Sequence, residues 1–350
     1  MSAGFCTKSY VFDPRPSYPL VSTVKRYWKP DSPYLNDPEA LTLVFAHGTG
    51  FHKEHWEPVI DDLQAILDKG KANTRIREIW AIDCANHGDA AEINEDALKL
   101  GLQHCFPWED YARSIHLFLA GLGTGVDVDF TGHRLVGIGH SMGAVSLGLS
   151  RGYYPKIQYA SLILCEVMTM APRFQSADPG KSNLFLGAQK RRDIWPSAEE
   201  AYRFMKSRPT WKVWDDRVLR IYVKYGMRAL PTKEYPDKEG VTLKCPRIQE
   251  AACFRDPIGN QRLYANLGTL VKEVPTHLIY GAVDDYIPPE VKKDVIDNAA
   301  GGAQNFASIA RVAGAGHLVS STYSSERHLL ELILSHTQSA GHADKPGWTC

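Results

Sequence analysis

The sequence predicts an α/β protein: a mostly parallel central sheet flanked by helices, with a mainly helical lid inserted into it. Three observations carry this. Short apolar runs rich in β-formers recur, as in Leu41–Ala46 (LTLVFA) and 160–165 (ASLILC), the pattern of strands buried on both faces. Between them lie segments with helical spacing of apolar residues. The alternation stops between residues 168 and 270 and then resumes.

In order, strands are expected at 7–13 and 21–28. In the second, Val21, Thr23, Lys25 and Tyr27 alternate against Ser22, Val24, Arg26 and Trp28. Leu41–Ala46 is a central strand. In 56–67, Val59, Ile60, Leu63, Ile66 and Leu67 recur at helical spacing. Ile76–Ile82 reads as the next strand and 108–122 as the next helix. The run 134–138 (RLVGI) is a buried strand that enters a Gly-Ser-Gly turn and then the apolar helix 144–153; 160–165 is a further strand. Within 168–270 no strong strand signal occurs. Two helical patterns dominate, 197–206 and 211–230, the second carrying Val213, Trp214, Val218, Ile221, Tyr222 and Tyr225. A strand at 276–280, a helix at 290–298, a strand at 306–312 and a closing helix at 325–334 follow. The expected organisation is a core of 1–167 and 271–337, a lid of 168–270 and a polar tail of 338–350.

The 350 residues carry 40 Lys+Arg against 40 Asp+Glu. A dedicated nucleic-acid binder would need a basic surplus to displace counterions, so none is expected as partner. The longest stretch without Asp, Glu, Lys or Arg, 135–150, is too short and too rich in Gly, Ser and His to span a bilayer. The first residues lack the apolar core and cleavage site of a secretory signal. The last, GWTC, form neither a prenylation box nor an SKL-type peroxisomal address. Seven scattered cysteines without a CxxC pair fit reduced thiols in an intracellular protein, and a cytoplasmic location is expected.

Gly139-His140-Ser141-Met142-Gly143 fits G-x-S-x-G, and it lies between a strand and a helix, the setting of a nucleophile elbow. There a Ser on a sharp turn stands free at the carboxyl end of the sheet. The loop after the strand in LVFAHGTG (43–50) is the place for one oxyanion donor, and the residue after the nucleophile supplies the other. These donors are assigned to the backbone N–H groups of Thr49 and Met142. Gly314-Ala315-Gly316-His317 follows the last strand, so His317 can reach Ser141 as general base. His140 is expected to pack inside the elbow, and His47 to be a hydrogen-bonded structural histidine. His52 and His55 form H-x-x-H; a metal site would need a third ligand and a firm helical frame, so both are read as loop residues near the site mouth. Asp83 is expected to tie loop backbone near the elbow.

Two acids compete for the third role. Asp284 follows the strand THLIY, and Glu166 follows ASLILC; each stands at a strand's carboxyl end. Chain order is Ser, acid, His with either choice.

The stretches LTLVFAHGTG, IDCANHGDA, FPWEDYARSI, IGHSMGA, LILCEVM and GAGHLVSS resemble the α/β-hydrolase superfamily, over about 41–334. More narrowly they resemble fungal serine hydrolases of the peroxisomal-lipase and toxin-biosynthesis type. YVKYGMRALP and GVTLKCPRIQEAACF extend the similarity into the lid. Two departures stand out: the chain ends in WTC where peroxisomal relatives carry an address, and Glu166-Val167 replaces the subgroup's usual Glu-Pro. The superfamily habit favours Asp284 as the acid. The subgroup, some of whose members keep only the Glu after the earlier strand, favours Glu166.

Motifs and resemblance together imply a serine hydrolase cleaving a carboxylic ester or related acyl bond, of esterase, lipase or lactonase type, without metal or other cofactor. The substrate is expected to be a small apolar or amphipathic molecule beneath the lid, where Trp195, Phe204, Met205, Trp211 and Trp214 lie. A carbon–carbon bond hydrolase, a thioesterase or an acyltransferase could use the same groups, and a non-catalytic receptor could keep the pocket. A Ser at the elbow, rather than Asp, argues against epoxide hydrolysis and dehalogenation.

Overall fold

Among the residues that the computed structural model describes, 4–70 and 74–319, eight strands form one sheet. In chain order the strands are β1 (Cys6–Phe12), β2 (Ser22–Trp28), β3 (Leu41–Ala46), β4 (Ile76–Ile82), β5 (Arg134–His140) and β6 (Tyr159–Cys165); then three short ones, β7 (Ile194–Trp195), β8 (Met227–Ala229) and β9 (Val241–Leu243); and last β10 (Thr276–Gly281) and β11 (Ser308–Val312). The large sheet runs β1-β2-β4-β3-β5-β6-β10-β11. β2 pairs antiparallel with β1 and β4, and every later pair is parallel.

The uniform apolar runs are explained by layers on both faces. On β3, Leu43 and Phe45 pack with Tyr27, Trp56 and Ile60, whereas Val44 and Ala46 face Trp80, Phe118 and Leu147 on the other side. β2 is buried despite its charges because each has a partner: Lys25 Nζ lies 2.6 Å from Glu57 Oε1, and Arg26 Nε donates to Glu78 Oε2 at 2.6 Å.

The helices are α1 (Glu57–Asp68), α2 (Gly88–Ile93), α3 (Glu95–Gly101), α4 (Trp108–Leu119), α5 (Met142–Ser150), α6 (Asn183–Lys190), α7 (Ala198–Lys206), α8 (Pro209–Lys212), α9 (Asp216–Gly226), α10 (Arg247–Phe254), α11 (Ile258–Glu273) and α12 (Pro289–Asp294). α5 is nearly all buried, between the sheet and the pair α4 and α11. The chain leaves β3 for β4 on one side and later returns to β5 on the other. Loops at the carboxyl ends of β3 and β5 therefore part and leave a crevice at the switch point.

Between β6 and β10 the structure differs from expectation. β7, β9 and β8 form an antiparallel sheet, in that order, where no strand signal was legible. Strands of two and three residues are too short to show a period. The helix expected at 211–230 is divided into α8, α9 and β8. Asp215 makes the break, since its side chain accepts the Arg217 N–H and caps α9. This segment has its own core of Trp195, Met205, Trp214, Leu219 and Tyr222, and Phe51 from the loop after β3 enters it. No helix among the described residues is long and apolar enough to cross a membrane. The expected helix 325–334 and tail 338–350 lie outside the described residues.

Candidate active site

β5 delivers Ser141 to the crevice. Ser141 has φ 53° and ψ −117° and stands at the N-cap of α5; its N–H donates to Cys165 O at 3.0 Å. The flanking glycines are steric necessities. A Cβ on Gly139 would lie 2.6 Å from the Ala144 backbone nitrogen, and one on Gly143 would lie 2.3 Å from Ala46 O. Neither neighbour is a flexible side-chain end, so β3 and α5 would have to part. Gly143→Ala is expected to cost about 1–3 kcal/mol and to lower turnover about tenfold, the loss expected when a donor of roughly 3 kcal/mol is only partly misplaced. Thermal unfolding and ester kinetics check this; a variant with unchanged stability and rate refutes the steric account.

His317 Nε2 lies 3.1 Å from Ser141 Oγ, and His317 Nδ1 lies 3.0 Å from Glu166 Oε2. A carboxylate only accepts, so Nδ1 carries the proton and Nε2 presents a lone pair to the Ser hydroxyl. The loop holding His317 is fixed at three points. Asp285 Oδ1 accepts its N–H at 2.8 Å, His140 Nε2 donates to its carbonyl at 2.8 Å, and the Tyr286 ring stacks on the imidazole at 5.1 Å. Burial, and then the neighbouring His317, push the His140 pKa down to about 3, so His140 is a neutral donor. Its packing place in the elbow was expected; its grip on the His317 carbonyl was not.

Glu166 follows β6 with φ 47°, its N–H donating to Ile279 O at 2.7 Å. A positive φ on a non-glycine residue is a costly conformation, here held by the sheet on either side. The side chain is fully buried. Oε1 accepts the Gly281 N–H at 2.5 Å and lies 3.3 Å from Lys292 Nζ. Burial works to raise the carboxyl pKa, but His317, the Gly281 N–H and Lys292 outweigh it and hold it below its ordinary value. Asp284, the other candidate acid, is not brought to His317. Its Oδ1 lies 2.9 Å from Lys292 Nζ and 3.8 Å from Arg311 Nη1, while Glu166 occupies the Nδ1 side of the imidazole.

The Thr49 loop meets α5 beside Ser141, with Thr49 Oγ1 donating to Met142 Sδ at 3.4 Å. Met142 is the first residue of α5, and an N–H there has no intrahelical partner. The loop is fixed from below. Gly50 N–H donates to His87 Nε2 at 2.9 Å, and His87 Nδ1 donates to Asn86 Oδ1 at 2.7 Å. His47 is a hydrogen-bonded structural residue: its Nδ1 donates to Gly48 O at 2.8 Å and its Nε2 accepts the Cys84 N–H at 3.1 Å. Burial pushes its pKa down to about 4. Asp83 Oδ1 accepts the Lys53 N–H at 2.7 Å, so it ties loop backbone. His52 and His55 are corrected: both are buried rather than at the mouth. The His55 ring stacks on Phe51 at 4.2 Å, and His52 Nδ1 donates to Glu54 Oε2 at 3.1 Å. Loop-like composition hid this, because the contacts come from α9 and the distant Trp214.

Ser141, His317 and Thr49 open on a cavity of about 790 Å³. Phe51, Met168, Phe174, Leu184, Trp211 and Trp214 give it apolar walls. Trp195, Phe204 and Met205, expected near the substrate, do not line it; they pack in the core of their own segment. Polar groups also face the cavity, among them Arg191, whose Nη1 donates to Glu250 Oε2 at 2.6 Å and whose Nη2 donates to the Tyr222 hydroxyl at 2.9 Å.

Residues 43–327 match the sequence pattern described as the alpha/beta hydrolase family. The chain is 33% identical over 222 residues to a type I acyl-CoA thioesterase, mpaH, of Penicillium brevicompactum, covering 62% of this chain and 47% of that protein. It is 25% identical over 259 residues to the peroxisomal membrane protein LPX1 of Saccharomyces cerevisiae, covering 71% and 64%. The chain thus spans about half the length of the thioesterases it matches. Among solved structures, the peroxisomal alpha-beta-hydrolase Lpx1 of Saccharomyces cerevisiae superposes with a TM-score of 0.73 at 20% identity, over 98% of this chain and 91% of that one. A thioesterase domain from the curacin biosynthetic pathway superposes at 0.61 and 18% identity, over 94% and 99%. At those identities the structures share the fold.

Proposed function

The chain belongs to the alpha/beta hydrolase family, and on that premise we propose that it cleaves a carboxylic ester or related acyl bond with Ser141 as nucleophile, His317 as general base and Glu166 as the acid that orients it. The observation that carries this reading is the hydrogen-bonded chain from Ser141 Oγ through His317 to Glu166, at 3.1 and 3.0 Å, opening on the cavity. Ser141 Oγ attacks the carbonyl carbon while its proton passes to His317 Nε2. The N–H groups of Thr49 and Met142 hold the oxyanion; losing one such donor costs roughly 3 kcal/mol. The imidazolium, stabilised by Glu166, gives the proton to the leaving group. Water, deprotonated by His317, then resolves the acyl-enzyme. A fluorophosphonate should form a single adduct, located at Ser141 by peptide mass spectrometry. An adduct elsewhere, or none, refutes the reading.

The segment between β6 and β10 acts as a lid over an apolar acyl group, through Trp211 and Trp214. Each buried methylene is worth about 0.8 kcal/mol. Along a p-nitrophenyl series from acetyl to octanoyl, kcat/KM is therefore expected to rise by at least about tenfold. A flat or falling series overturns the apolar-pocket reading.

A second reading, thioester hydrolysis, is favoured by the 33% identical relative named as an acyl-CoA thioesterase. It needs no different residues, only a thiol as leaving group. A matched oxoester and thioester of one acyl chain separate the two: higher kcat/KM on the thioester supports thioesterase, and the reverse supports esterase.

A further inference from the structure

We propose that Lys292 is a positioning residue of the active site, whose buried ammonium binds both candidate acids, aims Glu166 at His317 and holds Asp284 out of the acid role. The inference rests on the reading of Glu166 as the partner of His317. α12 begins after Pro288 and carries Lys292 fully buried beneath the β10 carboxyl end. Its Nζ has three oxygens within reach: Asp284 Oδ1 at 2.9 Å, Gly281 O at 3.2 Å and Glu166 Oε1 at 3.3 Å. An ammonium has three N–H donors, so the set is matched. The next residue, Lys293, pairs instead with Asp297 on the surface. Burial of Lys292 is thus particular to its place, not a property of the helix.

The two Glu166 oxygens are divided by this arrangement. Oε1 serves Gly281 N–H and Lys292, and Oε2 is left for His317. A buried carboxylate without a cation takes up a proton. His317 is neutral in the reactive state, so it cannot supply that charge; Lys292 can. The other groups facing Glu166 are Cys165 beside it, Tyr280 on β10 and His140 from the elbow. Burial keeps all three neutral. Asp284 meets Lys292 from the outer side, and Arg311 lies 3.8 Å from that same Asp284 oxygen.

The acid limb of the pH–rate profile reports the proton that inactivates the Ser–His–Glu chain. The Lys292 ammonium, 3.3 Å from Glu166 Oε1, disfavours that proton. Removing it moves the acid limb of the pH–rate profile to higher pH; removing Asp284 leaves the ammonium less compensated and moves the limb the other way.

The test is kcat/KM for a p-nitrophenyl ester against pH in the whole protein. Lys292→Gln keeps a hydrogen-bond donor on a shorter side chain but no charge, and its acid limb is expected to rise by about one pH unit. Asp284→Asn, at a partly exposed carboxylate, should move the limb down by a smaller amount. A merely structural role would change the height of the profile and leave the limb in place. An unmoved limb in folded Lys292→Gln overturns the proposal; if that variant does not fold, an unmoved limb in Asp284→Asn does so. Either failure leaves the Ser–His–Glu reading standing provided Glu166→Gln is inactive. If Glu166→Gln keeps wild-type kcat, that reading has failed instead.

Discussion

Ser141→Ala is expected to abolish ester turnover and fluorophosphonate labelling while the fold persists. The hydroxyl makes one hydrogen bond that matters, to His317 Nε2 at 3.1 Å. Although Ser141 sits at the N-cap of α5, its side chain makes no capping bond, so no cap is lost. Its φ of 53° is imposed by the turn, and Ala meets the same strain there as Ser. Circular dichroism and the unfolding temperature should therefore match wild type closely. The rate should not. Loss of the nucleophile in a serine protease costs about 10⁶ in kcat, with a residue of activity from the oxyanion hole and binding, and a fall of that order is expected. Labelling of Ser141→Ala at an undiminished rate means the nucleophile lies elsewhere.

The parts of this molecule legible in its sequence are those that repeat a local rule over several residues. β3 and β5 are mostly apolar, with Thr42, Arg134 and His140 the exceptions, because both faces of the sheet are covered, and runs of that length are enough to see. Ser141 is legible because Gly139 and Gly143 are required by backbone atoms close by in the chain fold, Ala144 and Ala46. β7, β8 and β9 are not, since their pairing comes from tertiary packing around Trp195 and Leu243. His52 and His55 look like loop residues until α9 and Trp214 are laid over them. The acid is the sharpest case. β6 and β10 are neighbours ending on one rim, so either carboxylate was in range. What separates them is the φ of 47° at Glu166 and the buried amine of Lys292, which shows in the sequence only as one of two adjacent lysines on a short helix.

Glu166→Gln is expected to lower kcat by about 10⁴, the cost of the analogous change of acid to amide in a serine protease, while Asp284→Asn keeps near-wild-type kcat around neutral pH. The geometry says why the amide fails. The Oε1 position faces two donors, the Gly281 N–H at 2.5 Å and Lys292 Nζ at 3.3 Å. An amide must put its oxygen there, because its NH₂ would leave both donors facing a third. The NH₂ then points at His317 Nδ1, which can answer only as an acceptor. That forces the proton onto Nε2, facing Ser141, and the base is lost as a tautomer rather than as a charge. Asp284 has no such hold on the ring: its oxygen meets Lys292 and Arg311. Single-turnover rates of both variants at one neutral pH decide the matter. Near-wild-type kcat in Glu166→Gln, or a comparable collapse in Asp284→Asn, removes Glu166 from the acid role; the expected asymmetry follows from which oxygen the Gly281 N–H and Lys292 already occupy.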